Sequence, residues 1–214
     1  GICSHLGTVD SDRDLALKQI EKFEDLMSNL ENNGYFIPVR HMANSAAAMT
    51  IPQASMNMVR VGMAMYGLSY TGTSIAGPEL KPALAFKTCV EYVKEVQEGS
   101  SIGYNASYIS GREQIVTLPV GYADGYPRLL SNKGKVLING EKFKVVGKVC
   151  MDQMMVSVPI DFKVDIGDEV VLIGDQKGKT IHAEDLALDV GTINYEIVCR
   201  ITTRVPRVYI NKFA

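Results

Sequence analysis

Arg60 interrupts an apolar run formed by Met58, Val59, Val61 and Met63. A guanidinium placed there needs partners to offset its lost hydration, and both a structural ion pair and a ligand-facing role are open to it. A few residues earlier, Ala43–Ala47 (ANSAA) sets the Ser45 hydroxyl among small side chains, while Gly62 and Met63 follow Arg60 in the next apolar segment. A hydroxyl and exposed backbone N–H groups in consecutive strand-following loops suit an anion such as phosphate. The alternative for Ser45 is an ordinary helix N-cap. His5 ends the first apolar stretch, and a lone histidine can be structural or catalytic. Tyr104 lies in Ile102–Ala106 (IGYNA), where a half-buried strand tyrosine competes with a phenol that moves protons. Cys150 has no neighbouring histidine and so lacks a nucleophile's usual partner. His41 and His182 sit in no motif and read as surface or packing residues.

These groups must be held by two kinds of structure. Ser11 to Asn33 predicts an amphipathic helix, with Ser11 as cap, Gly34 as stop and Ile20, Phe23, Met27 and Leu30 as one apolar stripe. Tyr35 to Arg40 and Met58 to Met65 predict short strands, the second apolar on both faces as parallel strands are. Only about three parallel strands fit in this part. Glycines and prolines punctuate Tyr70 to Lys81, a candidate junction that divides the chain into 1–79 and 80–214. Beyond it, segments Ala85–Val96, Ser101–Tyr108, Gln114–Val120, Lys135–Ile138, Lys142–Met155 and Glu169–Ile173 read as strands. Asn139-Gly140 marks a tight hairpin. Helices are expected at Ala183–Leu188 and Asn194–Arg200, and a last strand at Arg207–Ile210. The fold class is therefore α/β followed by a mainly antiparallel β part.

Composition narrows the function. The 214 residues are 46% hydrophobic with net charge −2, enough for a core and without the basic surface of a nucleic-acid binder. Cys3, Cys89, Cys150 and Cys199 are scattered, so no metal framework is expected and a cytoplasmic setting is the simpler reading. No apolar run reaches the roughly 20 residues of a membrane helix.

The segments Leu118–Arg128 (LPVGYADGYPR), Val149–Gln153 (VCMDQ), Ala43–Ala47, Val59–Met63 and Gly191–Glu196 (GTINYE) together closely resemble the C-terminal part of alanine racemases. The resemblance runs in order from Gly1 to Tyr209. It implies the end of a (β/α)8 barrel followed by a β-domain, pyridoxal 5'-phosphate (PLP) as cofactor, and a homodimer whose sites are shared between subunits. It further implies interconversion of L- and D-alanine, a small amino-acid substrate, for peptidoglycan. By the same resemblance Ser45, Gly62, Met63 and Tyr195 would hold the phosphate end of PLP. Arg60 would face the pyridine nitrogen, and His5 would join Arg60 to Tyr104, the base on one face of the α-carbon. Met151 and Tyr122 would meet the substrate, while Asp10, Arg128, Ile193 and Lys148 would line the access channel. Departures from the pattern are Val61 for proline, Asn105 for glycine and Lys148 for arginine. The family's cofactor lysine, in a Lys-Ala-Asn-Ala-Tyr-Gly-like motif, has no counterpart here. The chain is therefore expected to be a C-terminal portion, inactive alone. The alternatives are the racemase part of a membrane-anchored serine racemase, which a tyrosine at 195 disfavours, or a non-catalytic dimerisation module.

Overall fold

Helix α1 spans Arg13–Asn32 and buries Ala16, Ile20, Phe23 and Met27, a spacing that keeps them on one stripe. Its cap is Asp12, not Ser11: the Asp12 carboxylate accepts from Leu15 N–H at 2.9 Å. The carboxylate also complements the helix dipole, which a serine does not. Gly34 follows at φ +84° and closes the helix as expected. The stripe packs on Leu6, Met42, Ala43, Ala47, Ile51 and Ala54, with Leu30 only partly buried against that cluster.

The computed structural model describes residues 1–68 and 79–210, so most of the predicted junction lies outside the described residues. The chain divides into two compact units, Gly1–Ala83 and Leu84–Ala214. In the first, β1 (Ile2–Cys3) and β2 (Arg40–His41) pair in parallel, and α2 (Ser45–Thr50) follows β2. The predicted strands are shorter than expected. Tyr35–Val39 joins no ladder, and Tyr35, Phe36 and Val39 are exposed. Met58–Met65 likewise forms no ladder: Arg60 N–H donates to Ala43 C=O at 3.0 Å, and the chain turns into a 3-10 helix at Met63–Tyr66. A parallel strand needs neighbours on its flanks, and here Met58, Val59, Val61 and Met65 stand exposed instead.

The second unit is one antiparallel sheet. Its strands are β3 (Phe86–Cys89), β4 (Tyr92–Val96), β7 (Glu113–Leu118), β8 (Lys135–Ile138), β9 (Glu141–Val146), β10 (Met154–Val158), β11 (Glu169–Gln176) and β12 (Lys179–Ile181). The order is β12-β11-β8-β9-β10-β7-β4, with β3 pairing β11. Ala85–Val96 is thus not one strand. It bends at Val90 and Glu91, where Val90 N–H donates to Asp168 C=O (2.9 Å) and Glu91 N–H to Thr117 C=O (3.0 Å). That bend carries the chain from β11 to β7 and rolls the sheet up around Val136, Leu137, Ile138, Val145, Val156, Val170 and Leu172, all fully buried. Asn139 (φ +52°) and Gly140 (φ +86°) form the expected hairpin turn between β8 and β9. Lys142–Met155 separates into β9 and β10 around Gly147–Gln153. Lys177 and Gly178, both at positive φ, create the unforeseen β12.

A small hairpin of β5 (Ser101–Ile102) and β6 (Tyr108–Ile109) replaces the predicted strand Ser101–Tyr108. Helices α3 (Ala183–Val190) and α4 (Asn194–Cys199) match their expected places. Arg207–Ile210 joins no ladder among the described residues, and Val208, Tyr209 and Ile210 are exposed.

Candidate active site

Arg60 is the centre of the first unit's polar cluster. Its Nη2 donates to Ser4 C=O at 2.9 Å and meets His5 Nδ1 at 3.1 Å. Its Nη1 meets His41 Nδ1 at 2.5 Å. Cys3 pairs with His41 in the β1–β2 ladder and Ser4 N–H donates to His41 C=O at 3.2 Å, which brings His5, two residues past β1, beside His41 so that two imidazoles reach one guanidinium. No carboxylate is among these partners, so the ion-pair reading of Arg60 is set aside, and the planar fork is held in a fixed orientation by neutral acceptors. His41, read from sequence as a packing residue, belongs to this cluster. Its only sequence signal is its position at the end of a strand, two residues before Ala43.

Ser45 is not the N-cap of α2. Asn44 takes that role, its side chain accepting from Ala47 N–H at 3.0 Å and donating to Leu6 C=O at 3.0 Å. The Ser45 hydroxyl is left to other work, accepting from Gly62 N–H at 2.9 Å and, at longer range, from Ala64 N–H at 3.4 Å. Because Oγ accepts twice, its own proton is available to an anion. A Cβ on Gly62 would meet nothing but Ser45 Oγ at 3.9 Å, so open space lies over that peptide. Ser45 Oγ–H and the Arg60 guanidinium form a donor set with no carboxylate, the Gly62 and Ala64 N–H groups being spent on Ser45 Oγ itself. It matches a ligand with a phosphate at one end and a hydrogen-bond-accepting ring nitrogen at the other. PLP has that distribution.

Asp10 has a carboxylate oxygen without a hydrogen-bond partner among the described residues, and burial raises its pKa above the usual carboxylate value.

In the second unit a cleft of about 710 Å³ gathers Tyr104, Tyr122, Arg128, Met151 and Cys150 with Glu91, Gln153 and Arg204. Tyr104 is 70% exposed, so it is a presented phenol and not a half-buried strand residue. Its turn is unusual: Gly103 (φ +74°), Asn105 (φ +60°) and Ala106 (φ +48°) all adopt positive φ. For a residue with a side chain that conformation costs roughly 1–2 kcal/mol, more comfortably borne by asparagine than by alanine. Met151 reaches the cleft because the Gly121–Gly125 turn grips its loop. Tyr122 N–H donates to Cys150 C=O and Ala123 N–H to Met151 C=O, each at 3.0 Å. A Cβ on Gly121 would lie 2.3 Å from both carbonyl oxygens, so only glycine permits that approach. Arg204 was invisible to motif reading. Its Nε lies 3.2 Å from Asp124 Oδ1 and its Nη2 is 2.5 Å from Asp152 Oδ1, bracing the turn against the Met151 loop. The hydrogen bond to Asp152 and the charge of Asp124 raise its pKa further. Tyr195 stands half-buried on α4, next to the exposed Ile193, and does not line the cleft. Lys148 also lies outside its lining.

The sequence matches the profile of the alanine racemase N-terminal domain over residues 1–70 and that of the alanine racemase C-terminal domain over 83–209. It is 45% identical over 214 residues to an alanine racemase of Halothermothrix orenii, covering 99% of this chain and 56% of that protein. Identity to an alanine racemase of Symbiobacterium thermophilum is 50% over 212 residues, covering 98% and 56%. Among solved structures, alanine racemase from E. faecalis superposes with a TM-score of 0.90 at 36% identity, covering 98% of this chain and 56% of that one. Clostridium difficile alanine racemase in complex with cycloserine gives 0.90 at 39% identity, covering 99% and 56%. The chain thus spans a little over half the length of these relatives. Its first unit corresponds to the last strands and helices of their (β/α)8 barrel, and its second to their C-terminal antiparallel β-domain. With both domain profiles in order and this superposition over nearly its whole length, the chain belongs to the alanine racemase family.

Proposed function

We propose that the complete protein interconverts L- and D-alanine with PLP, and that this chain supplies the phosphate-holding, ring-nitrogen and tyrosine parts of the site while the cofactor lysine lies elsewhere. The observation that carries the reading is the donor set of Ser45 and Arg60, with open space over Gly62 and with His5 and His41 holding the guanidinium. Bound there, PLP supplies the carbonyl that captures the substrate's amino group and a ring that takes up charge from the α-carbon. Ser45 and the Gly62–Met63 backbone hold its phosphate, with Tyr195 as a further contact. Arg60 donates to the ring nitrogen and cannot give up its proton at neutral pH, so that nitrogen stays unprotonated and electron withdrawal stays mild. Mild withdrawal disfavours side reactions that need a long-lived carbanion.

Racemisation needs a proton removed on one face of the α-carbon and one delivered on the other. Tyr104, contributed by the second subunit of a homodimer, serves one face and the lysine the other. Met151 offers its backbone N–H to the substrate carboxylate. Tyr122 belongs, like Tyr104, to the second subunit's contribution to the site, Tyr195 narrows the entrance, and Arg128, Asp10 and Ile193 line the approach. The single small substrate, the D-alanine supply for peptidoglycan and a cytoplasmic setting belong to the same proposal. Tyr195, larger than the small polar residue of serine-preferring relatives, favours alanine over serine. A non-catalytic dimerisation role fits only the isolated chain. Measuring D-alanine formation from L-alanine with added PLP tests the proposal. The complete protein should turn over, and the 214-residue chain should not; no turnover by the complete protein would reject it.

A further inference from the structure

The turn presenting Tyr104 is held in its left-handed conformation from outside. Three contacts converge on it. Asn132 Nδ2 donates to Ser107 C=O at 3.0 Å, while Asn132 Oδ1 accepts from Gly147 N–H at 2.7 Å. A backbone carbonyl only accepts and a backbone N–H only donates, so the orientation of this side-chain amide is fixed by its partners. Asn132 itself has φ +59°, a conformation asparagine tolerates well. At the near end of the turn Gly103 lies flush on the β9 exit, where a Cβ would be 3.0 Å from Lys148 N. Beyond the far end, buried Glu113 accepts from Tyr108 O–H at 2.9 Å and from Gly111 N–H at 3.1 Å, and Ser157 Oγ also donates to it. Burial and then the Glu113 contact raise the Tyr108 pKa, which keeps that phenol a donor.

We propose that Asn132 is the positioning residue for Tyr104, its amide joining the Tyr104 turn to the β9–β10 connection so that the phenol is presented at one place. The idea rests on the reading of Tyr104 as a proton-transferring group. Glu113 anchors the hairpin's end, but among the described residues Asn132 is the side chain that bonds to the backbone within the turn's own exit, at Ser107. Strained segments at functional sites persist when their surroundings over-determine them, and this amide is one such determinant.

Asn132→Asp separates the two bonds. Aspartate keeps the left-handed preference and still accepts from Gly147 N–H, yet cannot donate to Ser107 C=O. In the 214-residue chain, hydrogen exchange over residues 103–110 should accelerate about five- to tenfold, the scale of one lost hydrogen bond, with 135–138 unchanged. In the complete protein, kcat should fall by about the same factor with KM within roughly twofold. Solvent deuterium should enter the two enantiomers unequally, in the same sense as in Tyr104→Phe but to a smaller degree. Unchanged exchange at 103–110, equal acceleration at 135–138, or faster exchange with unaltered kcat would each overturn the proposal. Should Tyr104→Phe itself show no such asymmetry, the role of Tyr104 fails, while the exchange result still judges the clamp. If Asn132→Asp does not fold, Asn132→Gly keeps the turn and loses both bonds. It should then accelerate exchange at Gly147 as well, and unchanged exchange there and at 103–110 would overturn the proposal.

Discussion

The Tyr126 hydroxyl is fully buried and has no hydrogen-bond partner among the described residues. Burial, reinforced by the negative charge of Asp189, pushes its pKa far above the ordinary value of 10.0. The folded state thus holds the phenol neutral more strongly than the unfolded chain does. Its contribution is intact below pH 10 and is lost as pH rises from there toward the raised value. Tyr126→Phe should therefore stabilise the protein by about 1 kcal/mol at neutral pH, and its urea midpoint should fall less than the wild type's above pH 10. Ser45→Ala bears on the phosphate cradle. It removes one charge-assisted bond to the phosphate and the acceptor of Gly62 and Ala64 N–H, so PLP affinity of the complete protein, read by absorbance titration, should drop about tenfold, and the folded chain should lose about 1 kcal/mol of stability. At this scale Arg60 was legible because its charge sits oddly in an apolar run, whereas Tyr104 stood out only through the family resemblance. His41, Asn132 and Arg204 were not legible, because each matters through a partner 15 or more positions away in sequence.

Gly125 and Gly178 both adopt positive φ, yet their surroundings differ. A Cβ on Gly125 would sit 2.4 Å from Arg200 C=O, whereas nothing lies within 4 Å of one on Gly178. Gly178→Ala in the β11–β12 turn should cost only about 1–2 kcal/mol of backbone strain. Gly125→Ala must also push apart the Gly121–Gly125 turn and the Arg200–Thr202 segment that braces it. Its loss in chemical denaturation should exceed that of Gly178→Ala by about 2 kcal/mol or more. Equal losses would mean that the brace yields freely. The predicted elements with strong local signals survive intact: α1 has a stripe, β8–β9 has Asn139-Gly140, and α3 has its periodicity. Those whose form depends on distant partners do not. Val90 bends because Asp168 and Thr117 pull on opposite sides of it, and Met58–Val61 stays unladdered because a flanking strand is not supplied by the sequence around it.

Over the whole molecule, the two units differ in how their apolar surface is covered. The second unit's strands are joined by short turns into a sheet with a continuous buried core. The first has a two-stranded sheet and leaves Met58, Val59, Val61, Met65 and Tyr66 exposed. Hydrogen exchange of the 214-residue chain should show residues 1–68 opening before 85–210. Equal protection would mean that another copy or a rearranged sheet covers the first unit.

The central claim, that Tyr104 moves a proton on one face of the substrate's α-carbon, is tested most directly in the complete protein in D2O. Tyr104→Phe leaves the phosphate donors and the lysine face untouched. Solvent deuterium should still enter the enantiomer whose α-proton faces the lysine, while racemisation falls by about 10²–10⁴-fold, the range of a lost general acid–base group. Deuterium entering both enantiomers equally, or racemisation within a few-fold of the wild type, would contradict the account.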